Sequence, residues 1–293
     1  MRSRGRFARR VGQVASVLML GNACRESPPD AAVTGRVADV PASRGSVDNL
    51  EVRDLPPDSA LRALWGAGAR YVVVTDTSAL HGGTIVGTLE APAGLTGDSA
   101  ITPTHDLNVC KPFTDTRTPS QDGGAGNAVV WLVGVTTGPP LNASRRAALT
   151  LDRCRLEPRV QRMALGGTLQ VTSRDAMSSR LRFVDVGDAT TIRAQVMLTD
   201  AGQVVPTGEV AATAGLVEVR DDKHPWVRAF IAVAPHPFVA ITSSNGTFRF
   251  DSVPEGTYTL VVWQEQLGVR TQVLQVHRGV EVRVRMKYLV PST

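Results

Sequence analysis

Most of the chain alternates hydrophobic and polar positions with a period of two, the pattern of strands that bury one face. In the last such run, Val280, Val282, Val284 and Met286 alternate with charged residues. Turn residues separate similar runs that are rich in Val, Ile, Thr and aromatic residues. The predicted strands are Thr84–Glu90, Ala128–Val135, Thr168–Thr172, Arg180–Val186, Thr191–Leu198, Leu216–Val219, Ala229–Val233, Thr247–Phe250, Tyr258–Trp263, Arg270–Val276 and Val280–Tyr288. We therefore predict an all-β protein made of Greek-key-type β-sandwiches.

Helical periodicity is confined to one segment ahead of these strands. The turn residues Pro56–Asp58 can start a helix, and Leu61, Leu64 and Trp65 then fall at i, i+3 and i+4. A strand is predicted over Tyr71–Val74. The preceding segment, 25–55, is rich in Pro, Ser, Ala and Asp without periodic apolar positions, which is typical of a disordered tether.

The formal net charge of +5 arises at the N-terminus. The first ten residues hold five of the 32 basic residues and no acid, so the rest of the chain balances 27 basic against 27 acidic residues. This balance excludes a strongly basic nucleic-acid binder. No apolar run reaches the ~20 residues of a membrane-spanning helix, which excludes a polytopic membrane protein.

The first 24 residues have the layout of a bacterial export signal: an arginine-rich start, the short apolar run Val11–Leu20, then small residues before Cys24. A cytosolic amphipathic helix is the alternative. Cys24 and the polar residues after it resemble the lipobox of bacterial lipoproteins, although Gly21 stands where that motif usually has Leu. The resemblance implies that Cys24 carries a lipid anchor, with soluble periplasmic export as the alternative.

Two further cysteines remain, Cys110 and Cys154. An even pair in an oxidising compartment predicts a disulfide, and two separate buried thiols are the alternative. The CxxC spacing of a thiol-redox or zinc site is absent from the sequence.

Near the C-terminus, residues 242–263 read TSSNGTFRFDSVPEGTYTLVVW. Asn245-Gly246 predicts a hairpin turn, and Pro254-Glu255-Gly256 predicts a second turn. The run resembles the carboxypeptidase regulatory-like (transthyretin-like) β-sandwich module, which implies a fold and no catalysis.

The region upstream resembles a cupredoxin-like domain of the plastocyanin-like or methylamine-utilisation-like kind. The opening strand Thr84–Leu89, the middle segments around Cys110, Val129–Leu132 and Cys154–Val160, and the end segments Val219–Phe230 and Pro235–Phe238 carry this resemblance. With both resemblances, the predicted organisation is an export signal (1–24), a tether (25–55), a short helix and strand (56–79), a cupredoxin-like sandwich (80–236) and a carboxypeptidase regulatory-like sandwich (237–290).

A copper cupredoxin binds its metal through two His, one Cys and a weak axial Met. By the resemblance, the first His position falls at Ser179, the Cys position at Asp221 and the Met position at Val227, so only His224 is retained. A later His of the family is replaced by Gln264. Without the thiolate no blue-copper site can form, and we expect no cofactor.

Three interpretations of His224 stay open. Its ring hydrogen-bonds the backbone in a retained turn, or it belongs to a rebuilt copper or zinc site with Asp221, Asp222 and His236, or it serves a catalytic Ser179–His224–Asp221 set. We favour the first.

Two residue sets beside His224 also have two interpretations. Arg174, Arg180 and Arg182 are expected on a solvated strand face, with an acidic-ligand contact as the alternative. Trp131, Trp226 and Trp263 are expected in the core, with a ligand platform as the alternative.

The sequence thus predicts a non-enzymatic, exported accessory or binding protein of the cell envelope. Its expected partner is a protein or a glycan, with no nucleic acid, and it meets the membrane only through the N-terminal lipid. The alternative is a periplasmic metal-binding or electron-transfer protein with an altered ligand set around His224.

Overall fold

The computed structural model describes residues 61–65, 70–75 and 82–288, and their regular structure is almost entirely β. The export signal, Cys24 and the tether predicted for residues 1–55 lie outside the described residues. The elements are α1 (Leu61–Leu64), β1 (Val72–Val73), β2 (Gly83–Glu90), β3 (Asp98–Ile101), β4 (Phe113–Thr116), β5 (Val129–Val133), β6 (Thr137–Gly138), β7 (Arg146–Asp152), β8 (Arg155–Glu157), β9 (Val160–Ala164), β10 (Thr168–Ser173), β11 (Ser179–Asp185), β12 (Asp188–Leu198), β13 (Val204–Thr207), a 3-10 helix (Glu209–Ala211), β14 (Gly215–Asp221), β15 (Arg228–Ala234), β16 (Val239–Ile241), β17 (Thr247–Val253), β18 (Gly256–Gln264), β19 (Gly268–Val276) and β20 (Glu281–Lys287). The all-β prediction is confirmed.

Four larger sheets form two sandwiches. The sheets β13-β10-β7-β8 and β12-β11-β14-β15-β9 enclose one core, and we call residues 146–234 the inserted sandwich. The sheets β16-β5-β18-β19 and β17-β2-β20 enclose a second core. We call this second pair the split sandwich, because its strands β2 and β5 precede the inserted sandwich in the chain and its other strands follow it.

The split differs from the domain division predicted from the sequence. That division assigns Gly83–Glu90 and Val129–Val133 to the first sandwich, yet β2 pairs with β17 and β20, and β5 pairs with β16 and β18. A boundary at residues 236 and 237 therefore does not separate the sheets. Alternation identified both strands correctly, but it carries no information about which distant strand supplies the hydrogen bonds.

A third apolar layer joins the two sandwiches. On β15, Ala229, Ile231 and Val233 face the core of the inserted sandwich, while Phe230, Ala232 and Ala234 face the split sandwich. On the opposing sheet, Trp131 and Trp263 supply the largest side chains of this layer. Strands buried on both faces explain why β15 and β18 have nearly continuous apolar sequences.

The single turn of α1 closes one side of this layer. Leu61 and Trp65 are buried, and the Trp65 ring stacks on the Trp131 ring with centroids 4.6 Å apart. The Trp131 indole N–H donates to the Leu64 carbonyl at 3.0 Å. The short helix thus lies where the i, i+3, i+4 pattern predicts it. Within the described residues, no helix has the length and apolarity needed to cross a membrane.

The two predicted turns are present but connect sheets instead of hairpin arms. The turn at Asn245-Gly246 joins β16 to β17, and Pro254-Glu255 joins β17 to β18, and in both cases the two strands belong to different sheets. Only Gly246 of the first turn has a positive φ, of 76°. The hairpin expectation at Asn245-Gly246 is therefore wrong, although the turn itself is correct.

Candidate functional site

The residues that correspond to the four cupredoxin ligand positions meet at one end of the inserted sandwich. Ser179 opens β11, Asp221 closes the neighbouring strand β14, and Leu181 pairs with Asp221 across the two strands. His224 and Val227 lie in the loop between β14 and β15. All four side chains at the ligand positions are buried. The fold thus brings together the residues that the resemblance selected.

Asp221 is the centre of a hydrogen-bond network. Its Oδ1 accepts the backbone N–H groups of Lys223 and His224 at 2.8 and 2.7 Å, and lies 2.8 Å from His224 Nδ1. Its Oδ2 accepts the Ser179 hydroxyl. Asp221 orders the loop between β14 and β15 through these four contacts.

The other nitrogen of the imidazole faces a second carboxylate. His224 Nε2 lies 2.7 Å from Asp106 Oδ2, which also accepts the Lys223 ammonium at 2.7 Å. The hydrogen bonds from Lys223 and from His224 hold the pKa of the Asp106 carboxyl below its usual range. The loop between β3 and β4 is thereby fastened over the ligand positions.

This network does not fit the copper ligand set that the resemblance suggests. Both ring nitrogens of His224 are engaged with carboxylates, and the Cys and Met positions hold Asp221 and Val227. It does not fit a catalytic triad either, because Ser179 donates to Asp221 and not to the imidazole. The arrangement is that of a buried turn, as favoured from the sequence, but the expected partner of the ring is wrong. The imidazole contacts the carboxylates of Asp221 and Asp106 and not the backbone.

The two remaining residues of the alternative metal set lie elsewhere. Asp222 points away from the network and forms ion pairs with Arg180 and Arg182. His236 packs against the rings of Tyr71 and Phe238, at 5.9 and 6.0 Å between centroids. Within the ranges that the structure describes, no group of three or more His, Cys, Asp or Glu side chains is placed to hold a metal ion.

The predicted disulfide is confirmed. Cys110 and Cys154 are bonded with their Cα atoms 5.4 Å apart, across a sequence separation of 44. Both are buried, and the Met177 sulfur lies 3.7 Å from Cys110 Sγ and 3.6 Å from Cys154 Sγ. Cys110 belongs to the loop between β3 and β4, and Cys154 to the β7–β8 turn. The bond therefore fastens the β3–β4 hairpin to the inserted sandwich.

An open cleft of about 630 Å³ lies beside this disulfide. We call it the arginine cleft. One wall is β4 with Thr114–Thr116, and the other is formed by β7, β8 and the residues that follow β8. Its charged and aromatic lining consists of Arg155, Arg159, Arg174, Arg228, Asp115, Asp152, Glu157 and Trp226. Four arginines and three carboxylates leave one excess positive charge.

Arg159 is fixed in the wall of the cleft. Its Nε and Nη2 donate to the two carboxylate oxygens of Glu265 at 2.9 and 2.6 Å, and its Nη1 donates to Asp115 at 3.2 Å. Glu265 lies in the turn between β18 and β19, so this pair also connects the split sandwich to the inserted one. Because bidentate pairs fix geometry, Arg159 serves as scaffold.

The other three arginines of the cleft use few of their N–H donors in hydrogen bonds within the described structure. The guanidinium of Arg155 approaches Glu157 only to 4.0 Å, and Arg174 approaches Asp152 only to 3.6 Å. Arg228 meets a carboxylate of Glu218 through Nε at 3.3 Å. In the part of the chain that the structure describes, the buried Nε of Arg155 has no hydrogen-bond partner.

Trp226 supplies a further donor. Its ring is half-buried against the core of the inserted sandwich, lies 5.5 Å from the His224 ring and lines the cleft. Its buried Nε1–H has no acceptor among the described residues. Six other buried side-chain nitrogen or oxygen atoms of the described residues also have no partner, so these two atoms alone do not identify a ligand site.

Comparison with known proteins gives one partial family match. Residues 208–284 match the family model fn3_3, described as polysaccharide lyase family 4, domain II, which is less than half of the chain. This match includes Trp226 and Arg228. No curated protein sequence matches the chain. The resemblance of the C-terminal module to carboxypeptidase regulatory-like domains stays a prediction.

Likenesses to solved structures are weak and concern cupredoxins. A mutant of amicyanin in its reduced state is 18% identical, with 30% of this chain and 82% of that chain covered and a TM-score of 0.27. A copper-containing nitrite reductase from Thermus scotoductus SA-01 is 16% identical, with 35% and 24% covered and a TM-score of 0.27. A purple cupredoxin from Nitrosopumilus maritimus is 15% identical, with 30% and 99% covered and a TM-score of 0.25. At these TM-scores the likenesses carry no argument about activity.

The arginine set and the tryptophan set that were selected from the sequence each have one member in the cleft and two members outside it. Arg174 lines it, whereas Arg180 and Arg182 pair with Asp222 outside it. Trp226 lines it, whereas the other two tryptophans of the set, Trp131 and Trp263, are core residues as expected.

Sequence reasoning missed Arg155 and Arg228 as site residues. The signal that was available is the polar–apolar–polar order of Arg155-Leu156-Glu157 directly after Cys154, which places two charges on one face of a strand next to the disulfide.

Proposed function

We propose that the chain is a non-enzymatic binding protein that is exported to the cell envelope, and that the arginine cleft is its ligand-binding surface. The observation that carries this proposal is an open cleft lined by Arg155, Arg174 and Arg228, whose guanidinium groups come no closer than 3.3 Å to a carboxylate. A volume of about 630 Å³ falls in the ~300–1,000 Å³ range of small-ligand sites.

The chemistry of the two clusters supports binding without turnover. The Ser179–Asp221–His224 cluster is buried, and its polar groups face one another. The groups on the cleft are guanidinium donors, carboxylates and hydroxyls, which bind and orient a ligand. A nucleophile hydrogen-bonded to a general base, the pattern that nucleophilic catalysis requires, does not occur in the cluster around His224.

The test combines binding and turnover on the purified full chain. Neutral oligosaccharides, acidic oligosaccharides and acidic peptides are titrated by calorimetry, and each ligand is recovered and examined by mass spectrometry. We expect at least one class to bind, to be recovered unchanged, and to lose affinity at least tenfold in the Arg174→Glu/Arg228→Glu double variant. Arg180→Glu, on a neighbouring surface outside the cleft, is the matched control and should bind as wild type does.

Product formation that is abolished by His224→Gln and retained by Arg174→Gln would contradict a non-enzymatic role. Binding that is the same in the double variant and in wild type would contradict the assignment of the cleft.

Export and lipid anchoring form the second part of the proposal, and a variant of Cys24 tests it. In a bacterial host, the wild-type chain should incorporate labelled palmitate and partition into the detergent phase, whereas Cys24→Ser should do neither. If wild type is exported and cleaved but unlabelled, the soluble periplasmic alternative replaces the anchor.

A further inference from the structure

The arginine cleft also restricts the chemical class of its ligand, and this inference rests on the proposed function. With one excess positive charge spread over four arginines and three carboxylates, the cleft is not built for a polyphosphate or a nucleic acid. A chain of phosphates would meet Asp152 and Glu157 as well as the guanidinium groups, and like charges at close range are unfavourable.

The carboxylates of the cleft instead favour hydroxyl donors. Asp152 contacts Arg153 and Arg174 only at 3.8 and 3.6 Å, and the oxygens of Glu157 come no closer than 4.0 Å to the guanidinium of Arg155. Neither side chain has a hydrogen bond of ordinary length to an arginine in the described structure, so both retain acceptor capacity. A ligand rich in hydroxyl groups satisfies them, whereas acidic peptide side chains offer only acceptors.

The arginines require an anion on the same ligand. Arg155 is held over the Phe113 ring at 5.1 Å, and its side chain is 30% exposed, which positions a planar fork at the cleft with little freedom to lose. Arg174 is 67% exposed, lines the cleft and approaches Asp152, the residue that pairs with Arg155 across β7 and β8. Guanidinium groups bind carboxylates in a bidentate manner. Trp226 contributes an apolar ring.

Hydroxyls, an isolated carboxylate and an apolar face occur together in acidic sugars. We propose that the arginine cleft binds a short oligosaccharide of uronic acids. Arg155 and Arg174 donate to a carboxylate of the sugar, Asp152 and Glu157 accept hydrogen bonds from its hydroxyl groups, and the Trp226 ring packs against the sugar. The match of residues 208–284 to a domain named after a polysaccharide lyase is in keeping with a carbohydrate ligand.

The test titrates the full chain with tetragalacturonate and a mannuronate tetramer. Maltotetraose supplies the uncharged comparison, tetraglutamate the acidic peptide, and a thymidine tetranucleotide the phosphate chain. We expect at least one uronate tetramer to bind at least tenfold more tightly than each of the other three. Arg155→Gln and, independently, Arg174→Gln should weaken that binding at least tenfold, with Arg180→Gln as the unaffected control.

The tryptophan indoles report the location of the ligand. In 15N–1H spectra, the indole signal that is missing in Trp226→Phe should shift on addition of uronate, while those of Trp131 and Trp263 in the inter-sandwich layer should not. A shift confined to Trp131 or Trp263 would overturn the assignment of the cleft.

The remaining outcomes separate the inference from the proposed function. Arginine-dependent binding of tetraglutamate or of maltotetraose, equal to or tighter than that of the uronates, would overturn the sugar-acid assignment and leave a binding cleft. Absence of binding to all five probes, with no change in the Trp226 signal, would overturn both. Because Arg174 is exposed, its variant should fold even if Arg155→Gln does not, and thermal unfolding checks this.

Discussion

Cys110 and Cys154 join the two walls of the arginine cleft. Cys110 precedes β4, which forms one wall, and Cys154 directly precedes Arg155, which belongs to the other. The disulfide is therefore a structural part of the cleft as well as a link in the chain.

Removal of this disulfide should reduce both stability and ligand binding. In the chain-entropy model, closing a loop with a sequence separation of 44 stabilises the fold by about 4 kcal/mol. We expect the Cys110→Ala/Cys154→Ala variant to lose an amount of this order in urea unfolding, and to bind cleft ligands more weakly. Met177→Leu, which alters the same buried cluster and keeps the bond, should cost no more than about 1.5 kcal/mol. A double variant as stable as wild type would show that the bond adds nothing to the fold.

Asp221 should be the most sensitive residue of the buried network. Asp221→Ala leaves the imidazole, the Ser179 hydroxyl and two backbone N–H groups without their acceptor, and removal of one partner of a buried charged network costs about 3–5 kcal/mol. The neighbouring variant Asp222→Ala breaks only surface ion pairs and should cost about 1 kcal/mol or less. Urea unfolding of the two variants measures the difference. Equal losses would contradict the central role of Asp221.

His236 should make stability fall in mild acid. Burial lowers the pKa of His236 to about 4 from an ordinary 6.5, so between these values the unfolded chain binds a proton that the folded chain does not. The unfolded state then binds more protons, and stability rises with pH across this window. The part due to His236 is about 3 kcal/mol between pH 4 and pH 6.5.

Unfolding free energies at pH 7, 5.5 and 4 test this prediction. The decrease toward pH 4 should be smaller in His236→Gln than in wild type. Tyr71→Phe is the control, because the Tyr71 ring neighbours His236 but burial raises the pKa of its hydroxyl to about 12, far above the window. Parallel curves for wild type and His236→Gln would show that His236 is not responsible.

Gly246 should tolerate no side chain. Its φ is 76°, and a Cβ at this position would lie 2.1 Å from the Leu89 carbonyl oxygen of β2. A left-handed conformation and an overpacked contact together predict that Gly246→Ala costs about 3 kcal/mol.

Gly123→Ala separates the cost of the left-handed conformation from the cost of the close contact with Leu89. Gly123 has the same φ of 76°, and a Cβ there meets nothing within 4 Å. Its substitution should cost about 1 kcal/mol, in line with the conformational effect alone. Equal midpoints of thermal unfolding for the two variants would contradict the contact with Leu89.

The strands themselves were predictable to a large extent. Every run selected for alternation overlaps a strand, because a two-residue period is a local property of the sequence. The missed strands include short pieces such as β3, β6 and β8, and also the longer β7, which begins with Arg146 and two alanines. Pairing was not predictable, since β2 and β20 are far apart in sequence and lie side by side.

The site was predictable only where a local motif exists. The residues of the His224 turn form a local motif, so the sequence analysis could select them. The hydrogen bonds that they form could not be predicted. The arginine cleft draws on β4, β7, β8 and the start of β15, which meet only after folding. Arg155 has the local signal of its alternation with Leu156 and Glu157, and Arg228 has none, so only the tertiary arrangement brings the two together.

The pairing of β5 with β16 has a consequence for how this architecture can arise. Val239 lies opposite Trp131 in an antiparallel register, so the whole inserted sandwich takes the place of a hairpin loop between two adjacent strands. A sandwich inserted at such a loop leaves the pairing of β5 with β16 unchanged. However, the inserted sandwich covers Trp131 and Trp263, and the split sandwich without it would expose both rings to water. The split sandwich therefore depends on the inserted sandwich to keep this apolar face out of water.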